Sequence, residues 1–418
     1  MKKITITNAY TWYNKGDAGI LLGTVNTLKK IYGEENIEID VLSFTPEEDK
    51  KRYCEDKCIK NVYSNVLNPH PYKHTKLGKI VAIIKLIIRV VYLMLMIKFA
   101  LKKLVKKEES FKTLASSDML VVCGGGFLGG RKIDSLMHVF QMYVNTKFGI
   151  PIYVMGTSIE PMKNKIVKKF TDNVLKKMDH IFAREIITYD YLKLVVPIER
   201  VSLIPDMAFM LEDKKQEFEV VKELRKKSSA IYGLTVRQWN FPNSNNPTLL
   251  MNNYIKSIKE CIEQEIEKNN SSFIFVPQVI VDYASDEEVA LKIKDQLEEK
   301  YKENFIVLND DLSPVEIKAL IANCDYFIGT RMHSNIFATS MGVPTIAIAY
   351  EKKTNGIMHT VELDEYIVEM DEITKDSLAK KIELQKEQSA IIREMLNKRI
   401  LVIRKEILDK MTKVLKEE

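Results

Sequence analysis

Asp325-Tyr326-Phe327-Ile328-Gly329-Thr330-Arg331-Met332-His333-Ser334-Asn335 is the stretch that decides the fold. A short apolar run stops at Gly329, and polar residues then open a helix that Ser334 or Asn335 is expected to cap. A strand running into a helix N-terminus is one step of a parallel βα architecture. The free N–H groups of that helix end, the fork of Arg331 and the imidazole of His333 together make an anion site with a proton carrier beside it. The plainer reading is an arginine and a histidine that only finish a turn.

The same alternation extends on both sides. Strands are expected at Ala230–Val236, Ser272–Val276, Phe305–Leu308 and Pro344–Ala349, with helices at Leu249–Lys268, Asp286–Lys302 and Pro314–Ala322. The first half repeats it with strands at Lys3–Asn8, Asn36–Ser43, Asp118–Cys123 and Pro151–Gly156, and helices at Ala18–Tyr32 and Ser135–Phe148. Apolar strands alternating with helices imply parallel sheets covered on both faces. A charged stretch near residues 211–229 marks a junction. The expected organisation is a first Rossmann-like domain over 1–215, a second over 230–374 and a charged helical tail over 375–418, part of which crosses back onto the first domain. Two such domains facing across a cleft put ligands at the carboxyl ends of their strands.

The chain has 418 residues, enough for two cores, and 46% apolar with 29% charged residues marks it as folded. No repeat of fixed period is present. The five cysteines are odd in number, and Met1–Thr7 runs straight into a strand pattern without an apolar leader. Both point to a reduced, cytoplasmic setting. Cys54 and Cys58 lack a second pair at zinc spacing, so no metal is expected.

The net charge of +6 is local. From Lys57 to Lys107 there are twelve Lys and Arg and no Asp or Glu, and without that segment the charge becomes −6. A general nucleic-acid binder is therefore not the expected class. Within this insert, Ile80–Ile97 is apolar, broken only by Lys85 and Arg89, and its longest uncharged run of eight residues, Val90–Ile97, is well short of the ~20 of a clean span. Lys85, Arg89, Lys103 and Lys107 would share one stripe of a continuous helix. Three readings stand: a helix lying in an anionic membrane interface, a helical hairpin buried in the protein, and a span.

Other polar turns are candidates. Gly124-Gly125-Gly126-Phe127-Leu128-Gly129-Gly130 would let the backbone approach a ligand, although it lacks the pattern of a P-loop or dinucleotide fingerprint. Asn14-Lys15-Gly16-Asp17 precedes the first helix, where Asp17 would cap it or touch a hydroxyl-rich ligand. Lysines in Tyr350-Glu351-Lys352-Lys353-Thr354-Asn355-Gly356 could neutralise a phosphate. His70 and His74 lie in the insert, His138 in a helix and His180 before a strand, and none forms a metal cluster or nucleophile arrangement.

Taken in order, these elements resemble the polysaccharide pyruvyl transferases. The matching pieces are Asn14–Asp17, Gly124–Gly126, Gly156–Pro161, Arg184-Glu185, Pro205-Asp206-Met207-Ala208-Phe209, Gly329–Ser334, Gly342-Val343-Pro344 and Tyr350–Gly356. Glu160 departs from the small residue more usual there, and Lys57–Lys107 has no counterpart. The resemblance implies a glycosyltransferase-B-like pair of domains. It also implies transfer of the enolpyruvyl unit of phosphoenolpyruvate to a sugar diol as a cyclic ketal, in surface-polysaccharide or cell-wall polymer assembly. No cofactor is implied beyond that donor. Arg184, Arg331 and Lys353 would bind its anionic groups and His333 would act as general acid. Thr330, Ser334, Gly125 and Gly126 would contact substrate, and Asp17 or Asp206 would orient or deprotonate the acceptor, expected to be a lipid-linked saccharide. The rival expectations are a nucleotide-sugar glycosyltransferase on the same architecture and a binding module without activity.

Overall fold

A computed structural model describes residues 1–68, 76–129, 133–160, 162, 164–280 and 286–416. His70, His74, Gly130 and Pro161 lie outside the described residues. The chain forms two compact units: Met1–Trp12 with Ile20–Met210 and Glu406–Glu418, and Tyr13–Gly19 with Leu211–Lys405.

The first unit is built on β1 (Lys2–Ala9), β2 (Ile37–Ser43), β3 (Ile59–Ser64), β4 (Met119–Val122), β5 (Gly125–Leu128), β6 (Ile152–Ile159), β7 (His180–Ala183) and β8 (Val201–Leu203). Their order is β3-β2-β1-β4-β6-β7-β8, with β5 pairing β6, and every pairing is parallel. All eight residues of β6 are buried, as a strand covered on both faces requires. The second unit holds β9 (Ala230–Thr235), β10 (Ser271–Phe275), β11 (Phe305–Val307), β12 (Tyr326–Gly329), β13 (Thr345–Ala349) and β14 (Ile367–Glu369), ordered β11-β10-β9-β12-β13-β14 and again all parallel. In both sheets the chain winds outward one way, returns to the centre and winds the other way. The reversal falls between β1 and β4 in the first and between β9 and β12 in the second, the position where doubly wound sheets open a ligand crevice.

Several expectations change. Within the glycine run, Gly125–Leu128 forms a strand on β6. A β-carbon at Gly124 would lie 2.4 Å from the Met155 carbonyl oxygen and one at Gly129 2.1 Å from that of Glu160, so the glycines admit the protein's own backbone. The helix expected over Asp286–Lys302 covers only Glu287–Gln296 before a 3₁₀ turn at Glu299–Asn304. The insert forms a helix over Lys76–Phe99, which breaks at Ala100 before a second helix over Leu101–Lys107. The stripe of Lys85, Arg89, Lys103 and Lys107 is therefore not continuous, and Arg89 is held by Glu108. The tail helix Ser389–Lys416 ends in the first unit, where Ile407, Met411 and Leu415 are buried.

Candidate active site

The register of the second sheet places its cations. Thr235 of β9 pairs with Gly329 of β12, so Arg237 and Arg331, each two residues beyond, leave the carboxyl edge at the same level on either side of the reversal. On the other flank of β12, β13 ends at Ala349 and the helix Lys352–Thr360 starts three residues later, carrying half-buried Lys353 in its first turn.

The turn after β12 is locked from inside. A β-carbon at Gly329 would lie 1.8 Å from Asn335 Oδ1, so only glycine lets that side chain fold back, and Asn335 Nδ2 donates to the Gly329 carbonyl at 3.3 Å. The helix begins at Met332, with Arg331 in the cap position. Ser334 and Asn335, expected as caps, lie within its first turn. Ser334 Oγ donates to the Arg331 carbonyl at 2.6 Å and shares a 2.8 Å hydrogen bond with Thr235 Oγ1. The Thr330 hydroxyl lies 2.7 Å from that of buried Tyr254. Thr330 and Ser334, expected as substrate contacts, are buried, and their hydroxyls support the turn.

Asp286 orients Arg331. Its carboxylate, 1% exposed, accepts from Arg331 Nε at 2.9 Å and also from Nη2. Burial opposes the Arg331 charge, but the Asp286 carboxylate outweighs it and holds the guanidinium above its ordinary pKa. Arg237 is shifted down, by burial first and then by the like charge of Arg331. Its guanidinium stacks 4.0 Å from the Tyr350 ring centroid and 4.8 Å from that of Trp239. Two guanidiniums that share one buried carboxylate, with strand and helix ends around them, form an anion-binding arrangement with one more cation than its buried counter-charge.

The segment Tyr13–Gly19 completes this site. Asn14 bridges antiparallel to Val279, Lys15 N–H donates to the Gln278 carbonyl at 2.9 Å and Ile280 N–H to that of Tyr13 at 3.0 Å. The Lys15 side chain is fully buried and ion-paired with Asp311. A β-carbon at Gly16 would lie 2.2 Å from His333 Nδ1, so the imidazole sits against bare backbone. Asp17, expected as a cap, falls in the first turn of helix Lys15–Tyr32 and accepts a hydrogen bond from Asn14 Nδ2.

The structure thus gathers Asp17, Thr330, Arg331, His333, Ser334 and Lys353 in the second unit, while Arg184, Asp206, Gly125 and Gly126 lie in the first. Arg184 Nη1 donates to Asp206 Oδ2 at 2.7 Å and its Nε to Ser158 Oγ at 2.9 Å, with side-chain exposures of only 4% and 0% for the ion pair. Asp206 also accepts from the Ala208 N–H at 2.8 Å. The two residues expected as ligand contacts thus form an ion pair with each other. Gly125 is buried in β5, its carbonyl accepting from Thr157, and Gly126 is exposed. Sequence reading missed Arg237 and Asp286. The strand pattern Ala230–Val236 that ends one residue before Arg237 was a signal for the first. Nothing marked Asp286, which stands in an acidic run. Among the described residues no group of His, Cys, Asp and Glu is arranged to hold a metal ion.

The doubly wound sheets define an α/β protein that carries two arginines at the strand edge of its second unit. Residues 14–352 match the family model described as polysaccharide pyruvyl transferase, and the chain belongs to that family, a transferase family. It is 23% identical over 397 residues, 91% of either protein, to the amylovoran biosynthesis protein AmsJ of Erwinia amylovora. Among solved structures it resembles Anabaena HepE in complex with UDP-glucose (TM-score 0.59, 11% identity, 100% of each chain). It also resembles S. aureus MnaA with UDP (0.57, 13%, 95% of this chain and 91% of that one). A third is the UDP-GlcNAc 2-epimerase of Methanocaldococcus jannaschii (0.54, 18%, 92% of each). These likenesses show a GT-B-like fold.

Proposed function

We propose that the protein transfers pyruvate from phosphoenolpyruvate to a saccharide diol, lipid-linked in the assembling polymer, as a cyclic ketal. The observation that carries this reading is the pair of guanidiniums at the β9/β12 reversal beside His333. Phosphoenolpyruvate is a compact dianion or trianion, and its carboxylate and phosphate match two forks and the Lys353 ammonium. His333 delivers a proton to the methylene carbon. The adjacent carbon becomes oxocarbenium-like and is attacked by one acceptor hydroxyl, which loses its proton. The original C–O bond breaks, phosphate leaving with that oxygen and its electron pair and taking up the proton of the first hydroxyl; the second hydroxyl closes the ketal and its proton restores His333, so that donor and diol yield ketal and inorganic phosphate. Asp17, half-buried on the same segment as Gly16, would orient or deprotonate the acceptor hydroxyl. Arg184, which the resemblance also implies for the donor, and Asp206, the alternative carboxylate for the acceptor, are ion-paired with each other in the first unit, as Arg331 is with Asp286 in the second.

The second reading, a nucleotide-sugar glycosyltransferase, is favoured by the UDP and UDP-glucose named in the solved relatives. A thermal melt separates the two. A ligand at 100 times its Kd raises stability by ~2.7 kcal/mol, a shift of a few degrees for a domain of this size. A shift with phosphoenolpyruvate that Arg331→Ala abolishes supports pyruvyl transfer. A shift with UDP-sugars and none with phosphoenolpyruvate overturns it.

A further inference from the structure

Helix Lys76–Phe99 is a part of the first unit for which the proposed transfer reaction has no use. It is long and apolar enough over Ile80–Phe99 to cross a membrane by length and composition, yet one of its sides is committed elsewhere. At 100° per residue, Leu86, Val90, Leu93 and Ile97 fall within an arc of about 60°. They pack on the hydrophobic core of the first unit, Leu93 with no exposure at all. Arg89, at the margin of that arc, is tied to Glu108 by two hydrogen bonds. From Leu86 to Ile97 that side lies against a folded domain, the arrangement of a helix that rests in an interface plane with its other side outward.

The opposite side has no such partner. Ile80, Ile84, Ile87, Ile88, Val91 and Leu95 share an arc of about 100°, and each is more than half exposed. Six large aliphatic side chains in one stripe exceed the scattered apolar residues of an ordinary surface. The surroundings decide what covers them. Lys85, Lys98, Lys102, Lys103, Lys106 and Lys107 are all exposed, and from Lys57 to Lys107 there is no acidic side chain. A second copy of the chain would bring one lysine rim against another with no carboxylate from this segment to offset it. An anionic lipid surface offers hydrocarbon for the stripe and negative headgroups for its rim.

We propose that helix Lys76–Phe99 seats the protein flat on an anionic membrane surface, its outer stripe at the headgroup–acyl boundary and the lysines against the headgroups. This does not depend on which donor the site takes. Where the acceptor is lipid-linked, the same surface is where it would be met.

The test is cosedimentation of the purified full chain with phosphatidylcholine vesicles, with and without phosphatidylglycerol. Binding is expected on the anionic vesicles, weakening as salt rises towards 1 M, and falling at least about tenfold in Ile87→Glu/Val91→Glu. Both positions face solvent, so the thermal midpoint should hold. Lys98→Glu/Lys102→Glu/Lys103→Glu is the second variant, expected to lose the preference for anionic vesicles while leaving the stripe intact. The proposal is overturned if the chain ignores anionic vesicles, if neither variant changes binding, or if the chain forms a lipid-free dimer that Ile87→Glu/Val91→Glu dissociates. It is equally overturned if membrane-bound chain resists alkaline carbonate extraction, which would mean a span.

Discussion

Arg237 shows how a single residue can be read from register. Its side chain lies beside Arg331, shares the field of Asp286 and is held over Tyr350, so it is fixed in place without a ligand. Replacing Arg237 with alanine removes one fork and leaves β9 untouched. Phosphoenolpyruvate affinity measured by calorimetry is expected to fall at least about tenfold, ~1.4 kcal/mol, with an unchanged melt of the free protein. Unaltered affinity would remove Arg237 from the site. A different residue sets a pH dependence in the first unit. Asp49 is buried and accepts from the Trp12 N–H at 2.8 Å and from Thr45 Oγ1 at 3.0 Å, as well as from Ser43 Oγ. Burial pushes its carboxyl from 3.8 up to about 6, against those hydrogen bonds. The folded state therefore holds the proton more tightly than the unfolded chain. That contribution is complete below pH 3.8 and is lost as pH rises through 6. Asp49→Asn, which cannot ionise, should gain stability relative to the native protein by roughly 2–3 kcal/mol between pH 4 and pH 7. Parallel denaturation profiles for the two proteins would refute the assignment.

The element that matters most to the site is the seven-residue segment Tyr13–Gly19, which joins the second unit although the chain around it belongs to the first. Gly16→Ala puts a methyl group within 2.2 Å of His333 Nδ1, so either the imidazole or the segment must move. Turnover should drop by about 100-fold, the cost of misplacing a reacting group by about an ångström, while the core of each sheet is unaffected. Retained turnover in Gly16→Ala would mean that His333 is not held by this contact. The sequence showed this element only in part. Asn14-Lys15-Gly16-Asp17 stands out as a polar turn before a helix, but its pairing with Gln278–Ile280 joins positions more than 260 residues apart, and no local pattern encodes that. The strand–turn–helix from Tyr326 to Ser340 was legible because apolar burial, a glycine stop and a helix start are all local. The buried Arg184–Asp206 pair was not. An arginine after an apolar run reads the same whether it meets a ligand or a partner aspartate 22 residues on. The glycine run is ambiguous for a related reason: a glycine records a close approach and not what approaches, and at Gly124 and Gly129 it is the protein's own backbone.

On the scale of the whole molecule, chain order and compact units disagree at both ends, and the disagreement has a thermodynamic consequence. The last helix, Ser389–Lys416, is anchored in the second unit by Arg404, which holds Asp213 through bonds of 2.6 and 2.7 Å. From Glu406 onward the same helix belongs to the first unit. There Lys410 donates to the Leu203 carbonyl at 2.7 Å, and the Tyr32 hydroxyl donates to the Leu415 carbonyl at 2.8 Å. Ile407, Met411 and Leu415 repeat at helical spacing and are at most 3% exposed. Burying a side chain of that size contributes about 1.5–3 kcal/mol, so three together are comparable to the whole net stability of an ordinary domain. Ending the chain at Lys405 therefore removes no part of the site described here, yet should unfold or strongly destabilise the sheet that begins at Lys2. Calorimetry or native-state proteolysis would read this as a first unit that melts at least 10 °C lower, or is cut throughout, while the second unit keeps its own transition. If truncation lowers both transitions equally, the two units unfold as one and the tail stabilises the molecule as a whole. If it lowers neither, the buried face of residues 406–416 contributes nothing to the first core.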